Sequence, residues 1–368
     1  MTGGVTRPRA LFVLLALLLC FSCATEREGA GGTTITLLAV GDNLIHKELI
    51  TAARQPDGSY DFRPFYSELR PLIRKADLAF INQETLIAGE RFGYSGYPQF
   101  NGPFEIGEAL IDAGFDVINH ASNHTMDKGG DAVDAVIDFW KGKKAVSVLG
   151  IHESEAARER KKVIVNVKGM RIGFLSYTYG LNGIPLPERR PYLVSLIEES
   201  VMIREIEELR PLCDFLAVSM HWGNEYDHTP SARQMELAKL LASRNVDLVI
   251  GHHPHVLQPL MRFDKADGSP MFCYFSLGNF ISAQNETPRM LGGLMLVSVR
   301  FNKKTRAQTV QSASLIPLVT HYERGFTNFK VYPLSAYTEE YGAAHSLNRA
   351  KNKISPAEFQ KILDAIGQ

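Results

Sequence analysis

What this 368-residue chain has little of narrows the choices first. It carries four cysteines, and beyond Cys20 and Cys23 at the end of the N-terminal apolar run the body has only two and no C-x-x-C pair, which excludes a cysteine zinc site and a disulfide-built scaffold there. Cys213 and Cys273 lie in the apolar stretches 212–216 and 271–275. They read as small buried hydrophobes, with a disulfide between them as the alternative. An excess of either charge is also missing: 40 Lys and Arg balance 40 Asp and Glu, so nothing favours a nucleic-acid partner. The one long apolar run, 10–21, is shorter than the roughly 20 residues a membrane span needs. No internal repeat or low-complexity block is present beyond a short glycine-rich segment, which argues against a solenoid.

The apolar run follows Arg7 and Arg9 and has the n-region and h-region of an export signal. It ends in Leu19-Cys20-Phe21-Ser22-Cys23-Ala24, with a small residue ahead of a cysteine as in bacterial lipoprotein processing. Cys23 is therefore the expected lipidated terminus, and plain signal cleavage is the alternative. Residues 1–23 read as the signal and 24–33 as a flexible, glycine-rich tether. A folded domain is expected over 34–322, followed by a C-terminal extension, 323–368, with an amphipathic helix over 355–366. The expected location is the cell envelope, as a membrane-anchored lipoprotein facing the periplasm or the cell surface. A single lipidated terminus tethers a domain without embedding it.

The body, from a chain 45% hydrophobic and 22% charged, has the composition of an ordinary globular protein. Short apolar runs predict strands over 34–40, 78–82, 117–119, 163–167, 172–177, 215–220, 246–250, 271–275 and 293–300. Amphipathic stretches predict helices over 104–113, 130–141, 196–208 and 231–244. This alternation is the mark of an α/β protein. Nearly every cluster of His, Asn, Asp and Glu directly follows one of the strands. The carboxyl ends of strands form a common rim in α/β folds, and ligands bind there.

Asp42 follows Gly41 at the first strand exit, as a cation-holding carboxylate or a helix-capping one. Glu84 stands just past the second strand, with Asn82 placed to orient it. The segment 119–129 packs Asn119-His120 and Asn123-His124 close to Asp127. Its amide oxygens suit a metal, its imidazoles suit a general acid, and Asp127 suits a helix cap equally well. His221 follows another strand, with Glu225 and Tyr226 behind it as outer or substrate contacts. The strongest signal is Gly251-His252-His253-Pro254-His255. An extended loop there, favoured by Pro254 at the residue before it, would let His253 and His255 converge on one cation while His252 points elsewhere. Asn279, in Ser276-Leu277-Gly278-Asn279-Phe280, is expected in a tight turn lining the pocket.

Seven of the 11 histidines (His46, His120, His124, His221, His252, His253, His255) fall in these clusters. Such a set of one Asp, one Glu, one Asn and three His suits one or two ions of Mn, Fe or Zn better than Ca or Mg. Two cations together would polarise water and a phosphate oxygen.

In order along 35–281, the motifs Gly41-Asp42, Asn82-Gln83-Glu84, Asn123-His124 with Asp127 and Gly129, His221-Trp222-Gly223-Asn224-Glu225-Tyr226, Gly251–Gln258 and Ser276–Phe280 resemble the CapA family of capsule or poly-gamma-glutamate synthesis proteins. The resemblance implies a four-layer α-β-β-α sandwich of the metallo-dependent phosphatase type. It implies Asp42, Glu84, Asn123, His221, His253 and His255 as metal ligands, with His124 as the acid beside the leaving group. It also departs from the wider superfamily, which has Asp-x-His at the first motif, where this chain has Leu44. The imidazole is then absent, unless His46 replaces it. Two functions follow as expectations. One is a metal-dependent hydrolase acting on an anionic polymer or a phosphate ester. The other is a non-catalytic polymer-binding or export component of a capsule assembly complex. The loops 90–99 and 180–190 are expected as lids over the rim.

Overall fold

The structure is a computed structural model that describes residues 32–160, 162–349 and 352–367. The expected export signal, Cys23 and all but the end of the tether lie outside the described residues. No described helix is long and apolar enough to cross a membrane.

The chain first lays down four parallel neighbours, β1 (Thr33–Asn43), β2 (Leu78–Asn82), β3 (Val117–Asn119) and β4 (Ser147–Leu149). It then builds a second sheet from β5 (Val163–Val167), β6 (Met170–Thr178), β7 (Phe215–His221), β8 (Leu248–His252), β9 (Leu257–Asp264) and β10 (Pro270–Leu277). The order there is β5-β6-β7-β8-β10-β9, with β6, β7, β8 and β10 parallel. Finally it returns to the first sheet through β11 (Asn279–Ile281), β12 (Leu291–Phe301), β13 (Gln308–Glu323) and β14 (Thr327–Pro333). The first sheet runs β14-β13-β12-β1-β2-β3-β4, and β11 lies parallel to the end of β1.

Side-chain alternation explains the layers. In β1, Ile35, Leu37 and Ala39 share one core with Phe215 and Ala217 of β7 and with Leu248 and Ile250 of β8, so this core lies between the sheets. Phe80 and Phe174 stack across it at 6.3 Å. The opposite parity, Leu38 and Val40, packs with Ile106 and Leu110 of helix Glu105–Ala113 and Val133 and Val136 of helix Gly130–Lys141. On the far side, Leu216, Val218 and Met220 meet Met202 and Ile206 of helix Glu199–Leu209 and Leu237 and Leu241 of helix Ala232–Ser243. Helix, sheet, sheet, helix is the four-layer sandwich that the sequence leads one to expect. Both remaining cysteines are buried and free, so the disulfide alternative falls away.

The segment 323–368 continues the first sheet. Its strand β14 pairs with β13, and the boundary at 322/323 falls within β13. Phe329, Val331, Tyr337, Phe359 and Leu363 enter the core beneath that sheet. Helix Pro356–Ile366 starts at Ser355, whose side chain accepts from the Glu358 N–H.

Candidate metal centre

The parallel strands of both sheets end at one rim, and the polar residues that follow them meet there. Asp42 is buried and anchored from three directions. Asn82 Nδ2 donates to its Oδ1 at 2.8 Å, the His253 N–H donates to its Oδ2 at 3.1 Å, and His252 Nδ1 lies 3.3 Å from Oδ1. Asn82 is held in turn by Asn119 Nδ2, 2.8 Å from its Oδ1. Three strand ends are thereby tied in a row through short, stiff side chains. Asp42 therefore closes a strand and does not cap a helix.

Glu84 occupies the middle. Its Oε1 is 3.7 Å from both His221 Nε2 and His255 Nε2, yet neither carboxylate oxygen makes a hydrogen bond, although both are buried. His255 Nδ1 lies 3.0 Å from Asn279 Oδ1 and 3.3 Å from Asp42 Oδ2. A proton held at Nδ1 by those oxygens turns the Nε2 lone pair of a neutral ring toward Glu84. His221 Nε2 is 2.9 Å from Asn123 Oδ1. The ring of His253 lies 4.9 Å from that of His221 and 5.9 Å from that of His255. Asp42, Glu84 and His255 bring one ligand atom each within 4.8 Å of one another, as do Glu84, His221 and His253. Glu84 belongs to both sets.

The electrostatics are those of a crowded polar core. Burial alone would raise the Asp42 pKa, but the imidazoles of His252 and His255, each 3.3 Å from one of its oxygens, hold it well below the usual carboxylate range. Burial pushes Glu84 well above that range, and the charge of His255 offsets this only in part. Burial works against a charged His255, yet Glu84 and Asp42 lift it to about 9. Burial, helped by His255, lowers His253 to about 3; His221 is also lowered well below its ordinary value by burial, helped by His253. Buried carboxylate oxygens without donors, and a His253 Nδ1 equally without a partner, are what a divalent cation would satisfy. The donor set fits a metal.

His124 stands at the edge. Its Nδ1 is 2.7 Å from Asp127 Oδ2, which also accepts from the Phe100 N–H at 2.6 Å, and its ring meets the Phe100 ring edge-on at 4.7 Å. Asp127 thus orients an imidazole; the helix that follows takes Gly129 as its N-cap instead. Asn279 lies in β11, paired with Asp42, and not in the expected turn. The histidine loop also differs from expectation. His253 has φ 95° and His255 φ 58°, so the loop is not extended, and each residue stores strain of about 1–3 kcal/mol. The rings converge because both residues turn the backbone into the left-handed region.

Of the outer residues, His252 is wholly buried and stacks on Phe80 at 5.9 Å. Glu225 is exposed and groups with His253 and His255. Tyr226 lies under the Arg289 guanidinium, 3.5 Å from its ring centroid. His46 stays outside the donor sets, its Nδ1 accepting from the Ala283 N–H at 3.3 Å. Three neighbours were not foreseen. Tyr179 covers His253 at 4.6 Å between ring centroids; Asn182 accepts from Asn123 at 3.1 Å and approaches His124 Nδ1 at 3.3 Å; Phe100 fixes Asp127. Tyr179 directly follows β6, so the rule that found the other clusters also pointed to it. Asn182 brings the 180–190 loop to the rim.

Two facing sheets under outer helices, with a carboxylate-imidazole cluster where their parallel strands end, define a four-layer α-β-β-α sandwich with a candidate metal centre at one rim. Within that class the chain belongs to the family described as bacterial capsule synthesis protein PGA_cap, whose family model matches residues 36–284. It is 28% identical to the PGA biosynthesis protein CapA of Bacillus subtilis over 67% of this chain and 63% of that protein. It is 27% identical to the capsule biosynthesis protein CapA of Bacillus anthracis, over 73% and 64%. The matches thus span less than two thirds of those relatives' lengths. Among solved structures, a phosphatase of Mycoplasma pneumoniae aligns over 78% of this chain and 94% of its own, with 15% identity and a TM-score of 0.46.

Proposed function

We propose that the chain is a cell-envelope protein of capsule or poly-gamma-glutamate-type polymer metabolism, with a metal-dependent, phosphoesterase-like hydrolase site. The observation that carries the reading is Glu84, wholly buried between two donor sets with neither oxygen hydrogen-bonded. A carboxylate in that state costs several kcal/mol, and a cation on each side of it would remove the cost. Asp42, Glu84 and His255 would hold one, and Glu84, Asn123, His221 and His253 the other. Mn, Fe or Zn fits these mixed oxygen and nitrogen donors. When bound, such a cation supplies Lewis acidity toward a phosphoryl oxygen and water. The chain's own groups do the rest. Asn82 and the His253 N–H fix Asp42, and Asp127 accepts from His124 Nδ1, so that in the doubly protonated ring the opposite N–H would give its proton to the leaving oxygen, leaving the ring neutral. Lipidation at Cys23 would keep this domain at the membrane face, beside the other components of a capsule complex and an anionic polymer.

The test is a screen of the Mn-loaded protein against phosphomonoesters, phosphodiesters and poly-gamma-glutamate. Turnover is expected to fall by about 10²–10⁴-fold in His124→Ala with metal content unchanged. A second reading, a polymer-binding assembly component without turnover, is favoured by the departure at Leu44 from the Asp-x-His that the resemblance leads one to expect. Polymer binding without hydrolysis of any of these would select it.

A further inference from the structure

The two donor sets are unequal. Glu84, His221 and His253 are backed by Asn123, whereas Asp42, Glu84 and His255 stand as a set of three, and Leu44, two residues past Asp42, brings no donor atom. His46 belongs to none of the donor sets: its Nδ1 faces the backbone, accepting from the Ala283 N–H, and its ring packs edge-on against Phe100. A different residue comes close: Glu225, His253 and His255 each offer a ligand atom, all within 4.8 Å of one another. The backbone holds Glu225 there. The Tyr226 N–H donates to the Pro254 carbonyl at 2.7 Å, locking the loop after β7 onto the loop after β8. Tyr226, like His253 and His255, has a positive φ, 67°. Three non-glycine residues in that region on two bonded loops persist only where the surrounding structure over-determines them. Unlike Asp42 and Glu84, the Glu225 carboxylate is exposed, so it approaches the histidines from the solvent side.

We propose that Glu225 is a further cation ligand, closing the open, solvent-facing side of the centre with His253 and His255. The proposal rests on reading the cluster as a metal centre. A carboxylate oxygen beside two imidazoles is a donor set for a borderline divalent ion.

The experiment titrates the chelator-stripped full chain with Mn²⁺ alone, reading free Mn²⁺ by electron paramagnetic resonance and binding heat by calorimetry. Glu225→Gln is nearly isosteric at an exposed position, and a melting curve checks that it is folded. One Mn²⁺ equivalent is expected to bind roughly tenfold to a hundredfold more weakly in Glu225→Gln, the range that loss of even an outer partner costs at metal sites. Glu225→Asp, which keeps the charge, is expected to fall between. Equal Mn²⁺ binding by wild type and Glu225→Gln overturns the ligand assignment, even if turnover changes. No Mn²⁺ binding by the wild type overturns the metal reading beneath it.

Discussion

At the scale of the residue, the centre is a problem of proton placement. Glu84 and His255 face each other in a buried site, and burial pushes the Glu84 pKa up while Glu84 and Asp42 lift His255 to about 9 against its own burial. The pair titrates as a unit. At pH 7.5 the cation-free chain therefore carries at least one proton on it, which a metal must displace. Mn²⁺ uptake is expected to release about one proton, seen by calorimetry in buffers of different ionisation heat, and affinity should fall as pH is lowered. Uptake with no proton released would contradict this arrangement. Stability of the metal-stripped chain carries the same signature. The raised pKa of His255 contributes stability that is full below the ordinary 6.5 and lost as pH rises through about 9. His253, lowered to about 3, contributes above 6.5 and loses that contribution as pH falls toward 3. The stripped chain should thus melt highest near pH 6.5, and metal should flatten the alkaline limb.

At the scale of the element, the centre depends on how closely the two sheets approach at their carboxyl ends. The chain crosses from β10 to β11 through Gly278, at φ 60°, and the Asp42 N–H donates to the Gly278 carbonyl at 2.9 Å. A Cβ at Gly41 would stand 1.9 Å from that same carbonyl oxygen, a backbone atom that cannot turn aside. Gly41→Ala is therefore expected to lower stability by at least about 1–3 kcal/mol and to weaken metal binding by displacing Asp42. A thermal melt and a Mn²⁺ titration check both, and an unchanged melting temperature would show that the crossing is looser than drawn. This dependence also explains what the sequence could and could not reveal. Fully buried strands such as β2 and β7 read as unbroken apolar runs and lie where periodicity puts them, while β8 sits two residues later because His252 continues the pleat. Strands β9 and β13 escaped because much of their length is only partly covered and carries polar residues, and β14 because its apolar residues are interrupted by Lys330 and end at Pro333. Helices Lys47–Ala53 and Arg70–Lys75 are too short to show a period. The strand-exit rule gathered Asp42, Glu84, Asn123, His221, His253 and His255, because position in an α/β topology is a sequence property. The positive φ of the two histidines and the approach of Asn182 and Phe100 are products of loop packing, which pattern alone does not encode.

At the scale of the whole molecule, the question is whether the last forty or so residues are an appendage or part of the fold. Composition alone makes 323–368 look patchy, yet several of its large apolar side chains are buried. Phe329, Val331, Tyr332, Tyr337, Ile354, Phe359 and Leu363 are all buried, at 0–8% exposure, in the core that also holds Leu49, Phe65 and Phe280. Tyr337 donates to His321 on β13 or accepts from it at 2.9 Å, and His345 lies 3.2 Å from the Thr320 carbonyl. Burying each large apolar side chain is worth about 1.5–3 kcal/mol, so the segment's burial is comparable with the 5–15 kcal/mol net stability of an ordinary domain. Its removal would also leave β13 as a long edge strand open to pairing with another chain. A chain ending at Tyr322 is therefore expected to be insoluble or to melt without a cooperative transition, although every residue of the metal cluster is retained. Expression of the truncated and full chains, compared by soluble yield and calorimetric melting, decides it. A soluble, cooperatively melting truncation that still binds Mn²⁺ would show that the sandwich ends at β13 and that the rest is carried by it.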